Sequence, residues 1–312
     1  MPALDNREIV EKADFLLAQL APGGLLSPAQ ADRFIQLAID ESVVLPLMER
    51  VTMRSPKELR EKIRFGARVL RKGTEATALP EAQRSRPSTS KVELDAKLVQ
   101  CESRVSFDAL KDSIEGNRFT QTIEETLSAR ISLDLEDLAF NGDVTSVDDL
   151  LSTLDGFRVQ ATSNVTLAGG GTLDRGVLKD AMKTMPSEFR RNRRNLRFMS
   201  ADEAVIDYHE SIGDRATGLG DSAVVDGEVR PFSGIPVIEV PVFPTNLGGG
   251  TNETEMLLCD PKNMLFGVWD QIELESERDI RSRVWIIVSS LRIDFKYAHE
   301  GAVVKTTGIV AV

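Results

Sequence analysis

Hydrophobic positions between residues 117 and 140 recur by fours and then a three. Phe119, Ile123, Leu127, Ile131, Leu135 and Leu138 fall at this spacing, which puts them on one face of a helix. Asn117 is the expected N-cap, and Gly116 lets the chain turn into it. Asn141-Gly142 ends the helix with residues that accept left-handed dihedrals. These 24 residues, at 1.5 Å each, predict a rod of roughly 36 Å. Its other face is acidic, with Glu124, Glu125, Asp134, Glu136 and Asp137 against Arg130 alone. A rod of this length spans a domain and carries other elements on its sides.

Elsewhere the pattern predicts shorter pieces. Residues 7–20 read as an amphipathic helix broken by Pro22-Gly23-Gly24, and Ser27-Pro28 opens a second helix that runs towards Pro46. Residues 62–70 and 91–98 alternate apolar and polar, as two antiparallel strands of matched length do. Between them, Leu70 to Lys91 reads as a long projecting loop. A short helix is expected from Ser106 to Ile114 and another turn from Ser146 to Leu154. Strands are then expected at 165–167 and 196–199. Helices follow at Thr172 to Met185, capped by Thr172 with Leu173, Val177, Met182 and Met185 inward, and at 201–212. Residues 235–243 form a proline-punctuated edge strand. From Met256 the chain reads as β. Strands are expected at 256–258, 265–268, 272–274, 284–288 (buried on both faces), 291–297 and 302–304, with a turn at Asp260 to Asn263.

Composition narrows the class. At 41% hydrophobic and 28% charged, the 312 residues are ordinary for a soluble globular chain. No apolar run approaches the roughly 20 residues of a membrane helix, and no secretory signal is visible at the N-terminus. Cys101 and Cys259, far apart, read as reduced thiols. The net charge of −11 argues against general nucleic-acid binding. The charge is unevenly spread. Residues 50–91 hold twelve Lys or Arg against four Asp or Glu, leaving the rest of the chain at −19.

Candidate chemistry is sparse. His209 and His299 have no ligand-spaced partners, so no metal site is expected. Gly218-Leu-Gly220-Asp-Ser-Ala223 has the dinucleotide-binding spacing without the preceding strand and following helix, and reads as a loop. Gly169 to Gly171 follow a strand and precede a helix, but lack the Lys-Ser/Thr of a phosphate loop and read as a connection. Arg190, Arg191, Arg193 and Arg194 read as cations at a helix C-terminus, with nucleic-acid contact as the sharper alternative. The run Glu275-Ser-Glu277-Arg278-Asp279-Ile-Arg281-Ser-Arg283 alternates in sign, which marks a solvated surface or a subunit contact. No nucleophile, base and oxyanion site assemble, so neither an enzyme nor a cofactor is expected.

The order of these parts resembles the major capsid proteins of tailed bacteriophages with the Hong Kong 97-like fold. Local stretches carry the likeness: Leu26 to Phe34 (LSPAQADRF), Met53-Arg54-Ser55-Pro56, Lys91-Val92-Glu93-Leu94, Arg190-Arg191-Asn192, Arg278-Asp279-Ile280-Arg281 and Val303-Val304-Lys305. The resemblance implies an α+β fold: an N-terminal arm at 1–52, an extended E-loop hairpin at 53–105, a P-domain from a spine helix at 106–145 and a β-sheet at 256–312, and an α/β A-domain at 146–255. It also implies a structural subunit of hexamers and pentamers that self-assembles into an icosahedral shell around double-stranded DNA. Assembly would take place in the host bacterial cytoplasm, with portal, separate scaffold, maturation protease or decoration protein as partners. The chain is too short ahead of its hairpin to contain the family's scaffolding domain. Lys72 and Asn263 match the family's crosslinking pair by residue type only. Under this resemblance, Arg64, Arg68, Arg71 and Lys72 would meet carboxylates of another copy, with Glu124 and Glu125 as candidates. The charged run Glu277, Arg278, Asp279, Arg281 and Arg283 would be a further interface. Two alternatives stay open: an encapsulin-like nanocompartment shell, and a monomeric carboxylate-based hydrolase.

Overall fold

The computed structural model describes residues 42–65, 69–70, 72–73, 78–106, 119–213, 229–249 and 252–311. The two expected N-terminal helices, the Ser106–Ile114 helix, the Asn117 cap and the 218–223 loop fall mostly or wholly outside them.

Among the described residues the strands form three sheets. The first has four strands: β1 (Glu49–Met53), β4 (Lys97–Ser106), β9 (Met264–Asp279) and β10 (Val284–Tyr297), in the order β1-β9-β10-β4. The second has five: β5 (Val165–Leu167), β6 (Arg197–Ser200), β7 (Val237–Glu239), β8 (Glu253–Cys259) and β11 (Val304–Val310), in the order β5-β11-β8-β6-β7. The third is the hairpin of β2 (Lys57–Arg64) and β3 (Ser88–Asp95).

The expected long helix is present as α1, Phe119–Asn141. Ile131, Leu135 and Leu138 are buried, as their spacing predicts, and pack with Phe266, Leu291, Ile293, Phe295 and Tyr297 of the four-stranded sheet. The acidic face is narrower than expected, because Glu136 is 1% exposed. It stands one residue past Leu135, about 100° round the helix, inside the buried arc that Ser128 and Ser132 also enter. The helix end differs too. Gly142 does not adopt a positive φ. It is required by crowding, since a Cβ there would lie 2.5 Å from the Leu154 carbonyl oxygen.

Beyond it come α2 (Phe157–Gln160), α3 (Arg175–Thr184) and α4 (Asp202–Gly213). Residues 146–154 make turns and a short 3-10 segment rather than a Ser146-capped helix. Ser146 Oγ accepts from the Asp148 N–H inside a turn. Asp174, not Thr172, caps α3 by accepting from the Val177 N–H at 2.8 Å. That start buries Leu178 and Ala181, and leaves Val177 and Met182 half-buried. A second core lies between α3, α4 and the five-stranded sheet. Strand β7 is an edge of that sheet, as its prolines predict, but only three residues long.

The late strands are longer than predicted. The pieces at 265–268 and 272–274 are one strand of 16 residues, and those at 284–288 and 291–297 are one strand of 14, whose register with β9 shifts between Ser290 and Arg292. Val284 to Val288 are half-buried rather than covered on both faces. They belong to the outer part of the β9–β10 hairpin, past the aromatic core formed nearer its base. Residues 300–302 form a 3-10 turn, with β11 starting only at Val304. The Asn164 side chain holds this turn by donating to the carbonyls of Gly301 and Val303.

The basic hairpin is antiparallel as expected but set back along the chain, with Lys57 opposite Asp95 and Arg64 opposite Ser88. After β3 the chain bends at Ala96, whose N–H bonds the Pro56 carbonyl, and enters the four-stranded sheet as β4. The expected strand at 91–98 is therefore divided between two sheets. Leu94, fully buried with Val51, Met53 and Leu265, fixes the base of the hairpin.

Candidate functional site

The hairpin β2–β3 projects with large apolar side chains uncovered: Leu59 is 58% exposed, Ile63 71% and Phe65 54%. Strand alternation puts Lys57, Leu59, Glu61 and Ile63 on one face, with Asp95, Glu93, Lys91 and Thr89 opposite them. Several cations of this basic stretch already have partners. Lys91 lies 2.7 Å from Glu61, Lys57 3.3 Å from Asp95, and Arg60 3.5 Å from Glu49. Such exposed pairs fix register more than they add stability.

The sequence-predicted residues fall in three places. Arg64 ends β2 with its side chain outside the described part, Arg68 and Arg71 lie outside it altogether, and Lys72 is exposed. Glu124 and Glu125 are in the second turn of α1, and their side chains also fall outside the described part. Glu277, Arg278 and Asp279 end β9, while Arg281 and Arg283 form the turn to β10, so one hairpin tip gathers all five. There Asp279 accepts the N–H of Arg281 at 2.8 Å, and bonds from Ser282 and Arg281 lower its pKa. Ile280 beside it is 75% exposed.

Sequence reasoning missed three buried ionic positions. Glu136 accepts the backbone N–H groups of Val44, at 2.9 Å, and Val43, and so ties the chain leading into β1 to the flank of α1. Burial raises its pKa, against those bonds. Arg158, Glu255 and Lys305 form a network between α2, β8 and β11. Asp294, 3% exposed on β10, accepts the N–H of Asp95 at 2.8 Å at the bend below the hairpin. Arg158 between Phe157 and Val159, and Lys305 after Val303-Val304, are charges set among apolar neighbours, which was the available signal; Glu136, flanked by Asp134 and Asp137, gave none.

Burial pushes the pKa of Asp294 up from 3.8 to about 6, against the opposing pull of the Asp95 and Phe295 N–H groups and of Lys296, while the Asp95 carboxylate adds to the rise. Lys97, paired to Asp95 at 2.8 Å, also faces this site. The folded state therefore holds this proton more tightly than the unfolded chain. The contribution is most favourable below about pH 4 and falls by about 3 kcal/mol as pH rises through 6. Thermal melts from pH 4 to 8 should show Asp294→Asn losing this slope. Parallel curves for the two proteins would remove Asp294 as its source.

Among the described residues no group of His, Cys, Asp or Glu could hold a metal ion, and no helix is long and apolar enough to cross a membrane. Cys101 and Cys259 are free thiols. Gly170 is not an anion cradle, because its N–H bonds the Gly308 carbonyl. Asn263 is bonded at both ends of its amide to the backbone of His299. Arg190 Nη1 donates to the Met182 carbonyl in the last turn of α3, the helix-end role expected for it.

Residues 23–308 match the phage capsid family. The prophage capsid protein YqbE of Bacillus subtilis (strain 168) is 35% identical over 304 residues, covering 96% of this chain and 97% of that protein. The fold matches a chain of the satellite phage P4 procapsid with size determination (Sid) protein, at TM-score 0.67 and 15% identity over 98% of both chains. It also matches the SrpI encapsulin of Synechococcus elongatus PCC 7942, at TM-score 0.56 and 10% identity over 86% of this chain and 87% of that one. The mixed α and β architecture is thus that of Hong Kong 97-like capsids.

Proposed function

As a chain that belongs to the phage capsid family, the protein is a subunit of an icosahedral capsid shell, and we infer that its hairpin β2–β3 lies across a neighbouring copy. The exposure of Leu59 and Ile63 on a sheet of two strands among the described residues, and of Phe65 just past its end, carries this reading. A two-stranded ribbon is marginal in water by itself, and grouped large apolar side chains call for cover. A second copy is the cover at hand in a shell. Arg64, Arg68, Arg71 and Lys72 then meet carboxylates of that copy, Glu124 and Glu125 among them, and the tip from Glu277 to Arg283 makes a further contact.

In this reading residues 1–52 form an N-terminal arm and 53–105 the extended E-loop with its base strands. Residues 106–145 and 256–312 form the peripheral domain, with α1 as spine. Residues 146–255 form the axial domain around hexamer and pentamer axes. The role is structural rather than catalytic. The shell encloses double-stranded DNA in the virion after assembly in the host cytoplasm, alongside portal, scaffold, protease or decoration proteins. A net charge of −11 keeps the container from trapping the duplex.

Negative-stain microscopy of the purified protein should show closed shells. Leu59→Glu/Ile63→Glu should abolish them while shifting the stability of the soluble chain by less than about 0.5 kcal/mol. Glu124→Lys/Glu125→Lys should weaken assembly most at low salt. Normal shells from the Leu59/Ile63 variant would put the hairpin in solvent and end the reading.

A further inference from the structure

We propose that the five-stranded half of each subunit docks head to tail on a second copy, the arginine turn at 190–194 of one seating on the acidic outer face of α4 of the next. The contact is separate from the hairpin, and rests on the shell reading only in that copies pack side by side. Residues 189–197 contain five arginines and no Asp or Glu. Arg190 is spent on the end of α3, and Arg197 donates to the carbonyls of Arg194 and Leu196. Arg191, Arg193 and Arg194 are exposed, and among the described residues none has a carboxylate within 4.0 Å. The turn is a 3-10 segment broken at Asn192, whose φ is −108° and ψ 62°.

The complementary surface belongs to the same lobe. Glu203, Ile206 and Glu210 share one face of α4 at i, i+3 and i+7, with Asp202 beside them. All four are exposed, Ile206 at 62%. No Lys or Arg occurs from residue 198 to 214, so nothing nearby in sequence neutralises these carboxylates. The arginine turn runs into the first residue of β6, and α4 starts two residues past its last. Turn and helix start are thus separated by a strand of 4 residues, about 13 Å. Phe198, Val205 and Tyr208 join them in one core.

The lobe is therefore dipolar, with a cationic turn and an anionic helix face carried on one shared core. Like ends repel and unlike ends attract, so copies approach head to tail, the arrangement that closes into rings. Ile206 supplies an apolar centre, and the charges around it set register. Duplex DNA is the competing anion for the turn. The net charge of −11 and the neighbouring carboxylates disfavour it.

Light scattering against protein concentration tests the contact. Arg193→Glu/Arg194→Glu and Glu203→Lys/Glu210→Lys should each raise the concentration needed for assembly by at least about tenfold. A chain carrying all four changes should return to within about threefold of wild type, because the reversed charges match again. Thermal melts of the soluble chains separate this from misfolding, and Ile206→Ser, which alters no charge, should also raise the threshold. Wild-type assembly by the arginine variant, or failure of the four-change chain where every variant folds, overturns the proposal. So does an arginine variant that assembles normally yet loses retention of a short DNA duplex. A wild-type chain that never assembles would instead count against the shell reading itself.

Discussion

Replacing Glu255 by alanine is expected to lower the stability of the folded chain by about 3–5 kcal/mol. Glu255 Oε2 accepts from Arg158 Nε at 2.8 Å, and Lys305 Nζ lies 4.0 Å from Oε1, with side-chain exposures of 14%, 13% and 17%. Arg158 Nη1 also donates to Asn141 Oδ1 at the end of α1, and Lys305 Nζ donates to the Arg158 carbonyl at 3.1 Å. Asn141 in turn donates to Asp137 and to the Val242 carbonyl. The network thus joins α1 and α2, in the first core, to β8 and β11, which carry the second. Alanine would leave a guanidinium and an ammonium with little water and no counter-charge, which costs more than the intact pair contributes. Glu255→Gln keeps an acceptor for Arg158 and should lose less. Urea denaturation measures both. An alanine variant within about 1 kcal/mol of wild type would mean that water reaches these cations in solution.

The sequence disclosed this architecture unevenly, for physical reasons. The period of α1 was legible because its apolar residues repeat over many turns. Glu136 was not, since an acid on a helix ordinarily faces water. Only the N–H groups of Val43 and Val44, some ninety residues away, explain its burial. The alternation in the basic stretch identified a hairpin, but a chain that bends at Ala96 keeps the same alternation while changing sheets. Likewise β9 read as two pieces because Asp270 and Gln271 interrupt an apolar pattern that strand pairing to β10 carries on either side. The strand β1 at 49–53 was hidden, because its pairing to 265–269 is parallel and distant, with no turn to mark it. Single-chain folding patterns also hide contact surfaces. Ile63 and Ile206 look like core residues by type, and only their exposure marks them out.

Phe157→Ala is expected to cost about 3–5 kcal/mol, and to act through folding rather than through contacts between copies. Phe157 is fully buried, with its ring 4.9 Å from Tyr297, 5.8 Å from Phe295 and 6.0 Å from Phe140 between centroids. Its carbonyl accepts the Tyr297 hydroxyl at 3.0 Å. The helix α2 that carries it has only 4 residues, too few to hold its own shape. The ring is thus the main anchor of α2 between α1 and β10, and its loss leaves a cavity that closely packed aromatics fill poorly. Because Phe157 reaches no surface, copies that do fold should present unchanged faces to one another. Denaturation midpoint and soluble yield should therefore fall, while the assembly threshold, counted per folded copy, stays at the wild-type value. The substitutions at Ile63 or Arg193 and Arg194 should do the reverse. A raised threshold for folded Phe157→Ala copies would show that the packing under α2 shapes the contact surfaces as well as the core.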